Sequence, residues 1–256
     1  MVCLLATEGR IINSPCMSND IYDPAFVADV FDKCSASYRR WSSLASFGMI
    51  LRWRRQCVAD LDLPRDTRAR GVDLMAGTGE VWPHLLKRFP HIEKITAIDI
   101  STGMHAQAMD RLHQTRSDRI DHLCTNMLET DLPDQSAEFA VSTFGLKTFN
   151  AEQHGIFAQQ LARILKPGAP FSLIEATDPI GWSLRPLYRL HLDTVLPMVE
   201  RTVLRGAQDF AMIGQYTKNF ARGDSVIIAL QNAGLTVRAR HLVGGSAVLI
   251  SGRRPD

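Results

Sequence analysis

From Gly71 onward, short apolar runs alternate with stretches of helical periodicity, and few folds accept that pattern. Strands are predicted at Val72–Met75, Ile95–Ile100, His122–Thr125, Phe139–Thr143 and Phe171–Glu175. Helices are predicted over Leu85–Phe89, Met104–His113 and Phe157–Leu165, the last stopped by Lys166-Pro167-Gly168. Such alternation places helices on both faces of a largely parallel sheet. It then lapses: Leu184–Val203 and Asp209–Phe220 read as two consecutive helices, and a helix over Ser225–Ala233 precedes strands at Leu235–His241 and Ser246–Ser251. The short Gly244-Gly245 connection predicts that these last two strands pair as an antiparallel hairpin. The expected class is α/β, a doubly wound and mostly parallel seven-stranded sheet with an antiparallel C-terminal hairpin and helical insertions.

Ahead of the sheet, Phe26, Val27, Val30 and Phe31 open a helical pattern that runs from about Pro24 to Leu61. Ser46-Phe47-Gly48 is the expected break before a helix over Met49–Leu61. Residues 1–23 show no periodicity and read as a loose arm, leaving 24–256 as one domain. The helices of 24–61 and the insertion of 180–222 are expected to cover a substrate. The net charge of +2, from 29 Lys+Arg against 27 Asp+Glu, is too balanced for a duplex nucleic-acid footprint. Arg39, Arg40, Arg52, Arg54 and Arg55, followed by Arg65, Arg68 and Arg70, nevertheless crowd one region. They fit either a solvated helix face or a surface for anionic lipid or an acidic substrate. Cys3, Cys16, Cys34, Cys57 and Cys124 are odd in number, scattered and without C-x-x-C, which predicts reduced thiols in a cytosolic protein. Met1–Ala6 is too short for a signal-peptide core, and no stretch nears the roughly 20 apolar residues of a span. Membrane contact, if made, is expected to be peripheral.

Val72-Asp73-Leu74-Met75-Ala76-Gly77-Thr78-Gly79-Glu80 puts glycines between a strand and a helix, where a ligand can lie against the backbone. The dinucleotide fingerprint G-x-G-x-x-G fails, because Trp82 stands where the third glycine belongs and is expected to keep helix and strand apart. G-x-x-x-x-G-K-[ST] is also absent. Asp99, at the end of the next strand, can accept hydrogen bonds from both hydroxyls of a ribose. A nucleoside ligand without a large phosphate requirement fits, and S-adenosylmethionine is one. The histidines form no pattern of metal ligands, and no G-x-S-x-G elbow marks an acyl transferase.

These residues resemble the UbiE-type class I methyltransferases, which methylate a ring carbon of ubiquinone and menaquinone precursors. The likeness runs from about Val27 to Arg254. It is carried by Val30-Phe31, Tyr38, Ser46-Phe47-Gly48, Trp53-Arg54-Arg55, Asp73-Leu74, Gly77-Thr78-Gly79, Asp99-Ile100-Ser101, Met104 and Leu132-Pro133-Asp134. It continues through Ser142-Thr143-Phe144-Gly145-Leu146, Leu165-Lys166-Pro167-Gly168, Glu175, Val195-Leu196-Pro197 and Gly244-Gly245. The resemblance implies S-adenosylmethionine as cofactor and S-adenosylhomocysteine as its product. By it, Asp73 and the loop Gly77, Thr78 and Gly79 hold the methionine end and Asp99 the ribose, with Met75 and Ala76 also contacting the cofactor. Ile100 or Met104 packs on adenine, Asn126 and Met127 meet its amino edge, and Thr143 lies near the sulfonium.

The acceptor side departs from the family. Asp-x-x-Asn after the tyrosine is Arg39-Arg40-Trp41-Ser42 here, Arg-Asn after Phe-Gly-Leu is Lys147-Thr148, the histidine of the last strand is Ile250, and the paired tyrosines are Phe210 and Met212. Tyr38, Arg39, Phe144, Lys147 and Tyr188 are the expected substrate contacts. Lys147, Tyr38 and His191 are the catalytic candidates. Lys147 is read as a stabiliser of a developing phenolate, a base, or a solvated lysine at a strand end, Tyr38 as a substrate contact or a satisfied core tyrosine, Arg39 as a grip on an acidic group, and His191 as a base or a bland surface residue. The expected reaction is C-methylation of an aromatic, quinol or enolic small molecule that can carry a prenyl chain. O- or N-methylation and a catalytically silent partner of a biosynthetic complex remain open, as does a homodimer by family likeness.

Overall fold

The computed structural model describes residues 20–115, 118–198 and 210–256. The seven strands are β1 (Arg70–Leu74), β2 (Lys94–Asp99), β3 (Ile120–Cys124), β4 (Phe139–Thr143), β5 (Pro170–Ala176), β6 (Thr236–Leu242) and β7 (Ala247–Arg253). They form one sheet in the order β3-β2-β1-β4-β5-β7-β6. The first five run parallel, and β7 pairs antiparallel with both β5 and β6, the expected class. The sheet order reverses between β1 and β4, and a doubly wound sheet opens a crevice beyond the strand ends at that point.

Alternation along β1 decides what lies on each face. Val72 and Leu74 join a core with Phe157, Leu161 and Phe171. That core is built beneath the helices α6 (Ala151–Ile164) and α9 (Asp224–Asn232). Asp73, one residue out of phase, faces the opposite side, where Trp82 Nε1 donates to its Oδ2 at 2.8 Å. Ile250, at the family's histidine position, is fully buried in the first core. β6 carries Arg238 and Arg240 exposed along an edge, a charged rim that discourages pairing with another chain.

Helix α6 starts six residues earlier than the apolar spacing predicts. Asn150 accepts from Gln153 N while Gln153 Oε1 accepts from Asn150 N, a capping box that satisfies two orphan donors. The N-terminal helical region is three helices, α1 (Pro24–Cys34), α2 (Tyr38–Ala45) and α3 (Met49–Ala59), with an additional break at Ser35–Ser37. α3 lays Ile50, Trp53 and Cys57 against Ile174, Ala247 and Leu249 of the sheet. Asp20–Asp23 do not belong to a loose arm: Asp23 caps α1, and Ile21 O and Tyr22 O accept from Tyr216 and Gln153. Residues 1–19 and most of the join between the two insertion helices lie outside the described residues. What is described of the insertion is α7 (Arg185–Leu190), running into a π-helical turn at His191–Val195, and α8 (Phe210–Phe220).

Trp82 opens α4 (Trp82–Arg88) and is 2% exposed. The expectation that its bulk would hold helix from strand is corrected: the indole fills the space under the glycine loop and is pinned by Asp73. Gly79 makes this feasible, since it takes φ +75° and a Cβ there would come within 2.3 Å of the indole ring. Gly79→Ala is therefore expected to lower stability by about 2–3 kcal/mol, through overpacking added to a left-handed backbone. A urea midpoint unchanged from wild type would contradict this packing.

Candidate active site

The crevice at the reversal point is a cavity of about 760 Å³. The end of β1 contributes Met75, Ala76 and Gly77 to its wall, and β2 contributes Ile98, Asp99 and Ile100. Asn126 and Met127 follow β3, and Thr143, Phe144 and Gly145 end or follow β4. Asp99 is 9% exposed, with Oδ2 accepting from Gly77 N at 2.7 Å and Oδ1 from Ser101 N at 3.0 Å. Each carboxylate oxygen so keeps a lone pair for a further donor, which the paired hydroxyls of a ribose can supply. Val27, Phe31, Ile100, Met104 and Met127 give the neighbouring wall an apolar surface for a flat base. This donor set fits the adenosine part of S-adenosylmethionine.

The first helix is fastened over this site. Asp32 of α1 accepts from Ser101 Oγ at 2.5 Å, Thr102 Oγ1 at 2.9 Å and Gly103 N at 2.8 Å, at the start of α5 (Thr102–Thr115). Burial alone would raise its carboxyl, but these bonds outweigh it and hold it below the usual value. Asp99 goes the other way: burial lifts its carboxyl to about 6, against the donors from Ser101 and Gly77. Ribose hydroxyls donate best to the ionised form, so binding must take up the cost of ionising Asp99 at low pH. S-adenosylhomocysteine should bind about tenfold weaker at pH 5 than at pH 8, with proton release on binding below pH 6. Calorimetry in two buffers of different ionisation enthalpy reads both; flat affinity across that range would contradict the role of Asp99.

A second cavity, of about 520 Å³, adjoins the first. Tyr38 and Phe144 line both. In its wall Lys147, 3% exposed, meets Glu175, fully buried: Nζ donates to Glu175 Oε1 at 2.9 Å and to Phe144 O at 2.7 Å. Glu175 also accepts from the backbone N–H of Lys147 and Ala176. Phe144 sits at φ +70° at the strand end, strain of a kind that collects at functional sites. Tyr38 is buried, and desolvation pushes its phenol far above the ordinary range. It stays neutral at physiological pH and is no base. Lys147 is no solvated lysine: it is held in a buried ion pair with Glu175. The geometry suits an ammonium facing an anionic oxygen.

A third, outer groove of about 910 Å³ shares Ser46, Trp53 and Tyr188 with the second cavity and is lined by Phe47, Trp182, Leu184, Leu187, Leu190 and Val195. His191 lies here, stacked on Phe47 at 4.1 Å with Nε2 within 3.3 Å of Leu44 O, and it does not line the acceptor cavity. Its reading as the base is corrected: His191 follows Leu187 by four residues, and that regular helical spacing puts both on the face that lines the outer groove. Arg39 follows the inward Tyr38 by one residue, about 100° round the helix. It is exposed, 3.6 Å from Glu80, and lines neither inner cavity.

On the cofactor side, Thr78 and Gly79 sit behind the wall. Thr78 Oγ1 bonds Glu80. Asp73 is buried beneath the loop, its carboxyl lifted by desolvation to about 8. It shapes the loop from below and does not face the ligand space. Asn126 caps the short turn Met127–Glu129 through its side chain while lining the cavity. Sequence reasoning missed Asp32, Arg54, Glu80 and Glu175 as members of the site. Arg54 and Glu175 stand in segments that carry the family resemblance, Glu80 closes the glycine motif, and Glu175 is also a lone acid inside an otherwise apolar strand.

A family profile described as the ubiE/COQ5 methyltransferase family matches residues 18–253. The ubiquinone/menaquinone biosynthesis C-methyltransferase UbiE of Syntrophotalea carbinolica is 30% identical over 88% of this chain and 92% of its own. The demethylmenaquinone methyltransferase of Staphylococcus aureus is 25% identical over 86% and 89%. Among solved structures, the cyclase SpnF superposes with a TM-score of 0.65 at 14% identity, covering 91% of this chain and 96% of that one. Geranyl diphosphate C-methyltransferase from Streptomyces coelicolor gives 0.56 at 14%, covering 78% and 77%. Those structural likenesses speak for the fold alone; a cyclase shares it, so chemistry has to come from the site and the sequence relatives. Crevice, Asp99 and glycine loop together with those relatives define an S-adenosylmethionine-dependent methyltransferase. Within that class, the chain belongs to the ubiE/COQ5 methyltransferase family.

Proposed function

We propose that this enzyme methylates a ring carbon beside a hydroxyl group, on a quinone-biosynthesis intermediate that carries an isoprenoid tail. The observation that carries this reading is the buried Lys147–Glu175 pair in a cavity that shares its walls with the cofactor crevice and with an apolar groove. S-adenosylmethionine, when bound, supplies an electrophilic methyl group on sulfur. The protein's tasks are to present the acceptor carbon, keep bulk solvent from the transferring methyl group and stabilise charge on the acceptor oxygen. A phenol becomes a carbon nucleophile as it gives up its proton to water; as the ring carbon bonds the methyl group, the sulfur keeps the electron pair of the broken sulfur–methyl bond. Lys147 has one Nζ donor left after Glu175 and Phe144 O, and that donor meets the forming phenolate. Tyr38 and Phe144, at the shared wall, orient the ring between the two cavities. After methylation the ring carbon loses its proton to water, because Tyr38 is a neutral phenol and Lys147 is committed to its ion pair.

The helices of the insertion act as a lid over this acceptor, with Tyr188, Leu192, Ile213 and Thr217 in the cavity wall. The groove beyond takes the tail. Its rim keeps Phe47, Leu184, Leu187 and Leu190 more than half exposed, an unusual density of bare apolar surface. Among the described residues no helix is long and apolar enough to cross a membrane, so a lipid-dissolved acceptor would be reached by peripheral contact through this rim. The test is kinetic. KM should fall with each isoprenoid unit added to a demethylated naphthoquinol, and Leu187→Glu should raise KM for tailed acceptors by about tenfold while sparing the tailless one. Equal KM across the series would remove the tail from the proposal.

A further inference from the structure

We infer that Arg54 and Glu80 clamp the amino-acid end of S-adenosylmethionine, the guanidinium taking its carboxylate and Glu80 its ammonium. This rests on assigning the crevice to that cofactor. Arg54 stands on the buried face of α3, between Trp53 and Cys57, and is 3% exposed. Both residues line the crevice together with Gly77 and Asp99. Arg54 Nη2 bonds Glu80 Oε2 at 3.0 Å, and the guanidinium lies 5.4 Å over the Phe144 ring. Its Nε is buried and has no hydrogen-bond partner. A guanidinium out of water with a donor unanswered is costly, and nothing in folding alone asks for it here.

Glu80 does not belong to Arg54 alone. Its Oε1 accepts from Thr78 Oγ1 and lies 3.5 Å from Arg111 and 3.6 Å from Arg39. Arg54 thus holds only a share of one carboxylate, and a second carboxylate from a ligand would answer its remaining donors in the forked geometry that guanidinium favours. The methionine end of the cofactor is a zwitterion, and an arginine beside a glutamate is the complementary pair of charges. Glu80 follows Gly77 by three residues, which places the clamp next to the turn on which the ligand backbone rests. Among the described residues that line the crevice, Arg54 is the buried cation, while Lys147 lines the neighbouring cavity.

Three ligands and two variants test the clamp by calorimetry. S-adenosylhomocysteine carries both charged groups, its decarboxylated analogue keeps only the ammonium, and 5′-methylthioadenosine lacks the amino-acid end altogether. On the wild-type protein, removing the carboxylate should weaken binding by about 10–100-fold, the worth of hydrogen bonds to a charged group. Arg54→Met should weaken S-adenosylhomocysteine by a similar factor and leave 5′-methylthioadenosine unchanged, with Arg54→Lys in between. Equal wild-type affinity for S-adenosylhomocysteine and its decarboxylated analogue would overturn the assignment without any variant. Equal weakening of all three ligands by Arg54→Met would also overturn it, making Arg54 a prop for the loop. Failure of the wild-type protein to bind S-adenosylhomocysteine at all would instead overturn the cofactor assignment on which the clamp stands.

Discussion

Lys147→Met should cost about 3–5 kcal/mol of folding stability, because Glu175 would be left as a buried carboxylate without its counter-charge. That is a large part of the roughly 5–15 kcal/mol that holds a domain of this kind together. Glu175 is fully buried, and its two backbone donors cannot replace an ammonium. The double variant Lys147→Met/Glu175→Gln should recover much of the loss, since it removes the unpaired charge and its single amide oxygen can still accept from one of the two backbone donors, Lys147 N or Ala176 N. Urea unfolding of the two variants separates the cases. A single variant within about 1 kcal/mol of wild type would mean the pair is more hydrated than its burial indicates. Lys147→Arg, which restores the residue found in the family pattern, should keep both stability and turnover.

The second large effect falls on cofactor affinity. Asp99→Ala removes the acceptor for two ribose hydroxyls, each hydrogen bond to a charged group being worth about 1.5–3 kcal/mol. S-adenosylhomocysteine should bind about 10²–10⁴-fold more weakly. The loss would come with two N–H groups, of Gly77 and Ser101, left without their partner. Adenosine should lose affinity by the same factor, because the interaction lies in the ribose. Affinities within threefold of wild type would remove Asp99 from the ribose site.

The cofactor half of this site was legible because its parts are local in sequence. A strand, a glycine turn and an acid at the next strand end each announce themselves within a few residues. The class of the sheet was legible for the same reason, as was the hairpin at its edge. What escaped was long-range pairing: Lys147 finds Glu175 across 28 positions, Arg54 finds Glu80 across 26, and Asp32 reaches the start of α5 across about 70. No periodicity encodes such partners. Helical phase explains two of the displaced residues, since Arg39 turns away from the cavity that its neighbour Tyr38 enters, and His191 shares the outer-groove face with Leu187 four residues before it. Asp73 illustrates a third kind of miss. Its position in the motif matched the family, but strand alternation turns it under Trp82 and out of the ligand space.

The central claim is transfer to carbon, and one measurement decides it. The wild-type enzyme, given methyl-¹³C S-adenosylmethionine and a short-chain demethylated quinol, should yield a product whose label gives the NMR signal of a ring methyl group, with loss of the adjoining ring proton. A label appearing as a methoxy signal, with that proton retained, would show that the acceptor oxygen is the nucleophile and that Lys147 does not serve carbon methylation.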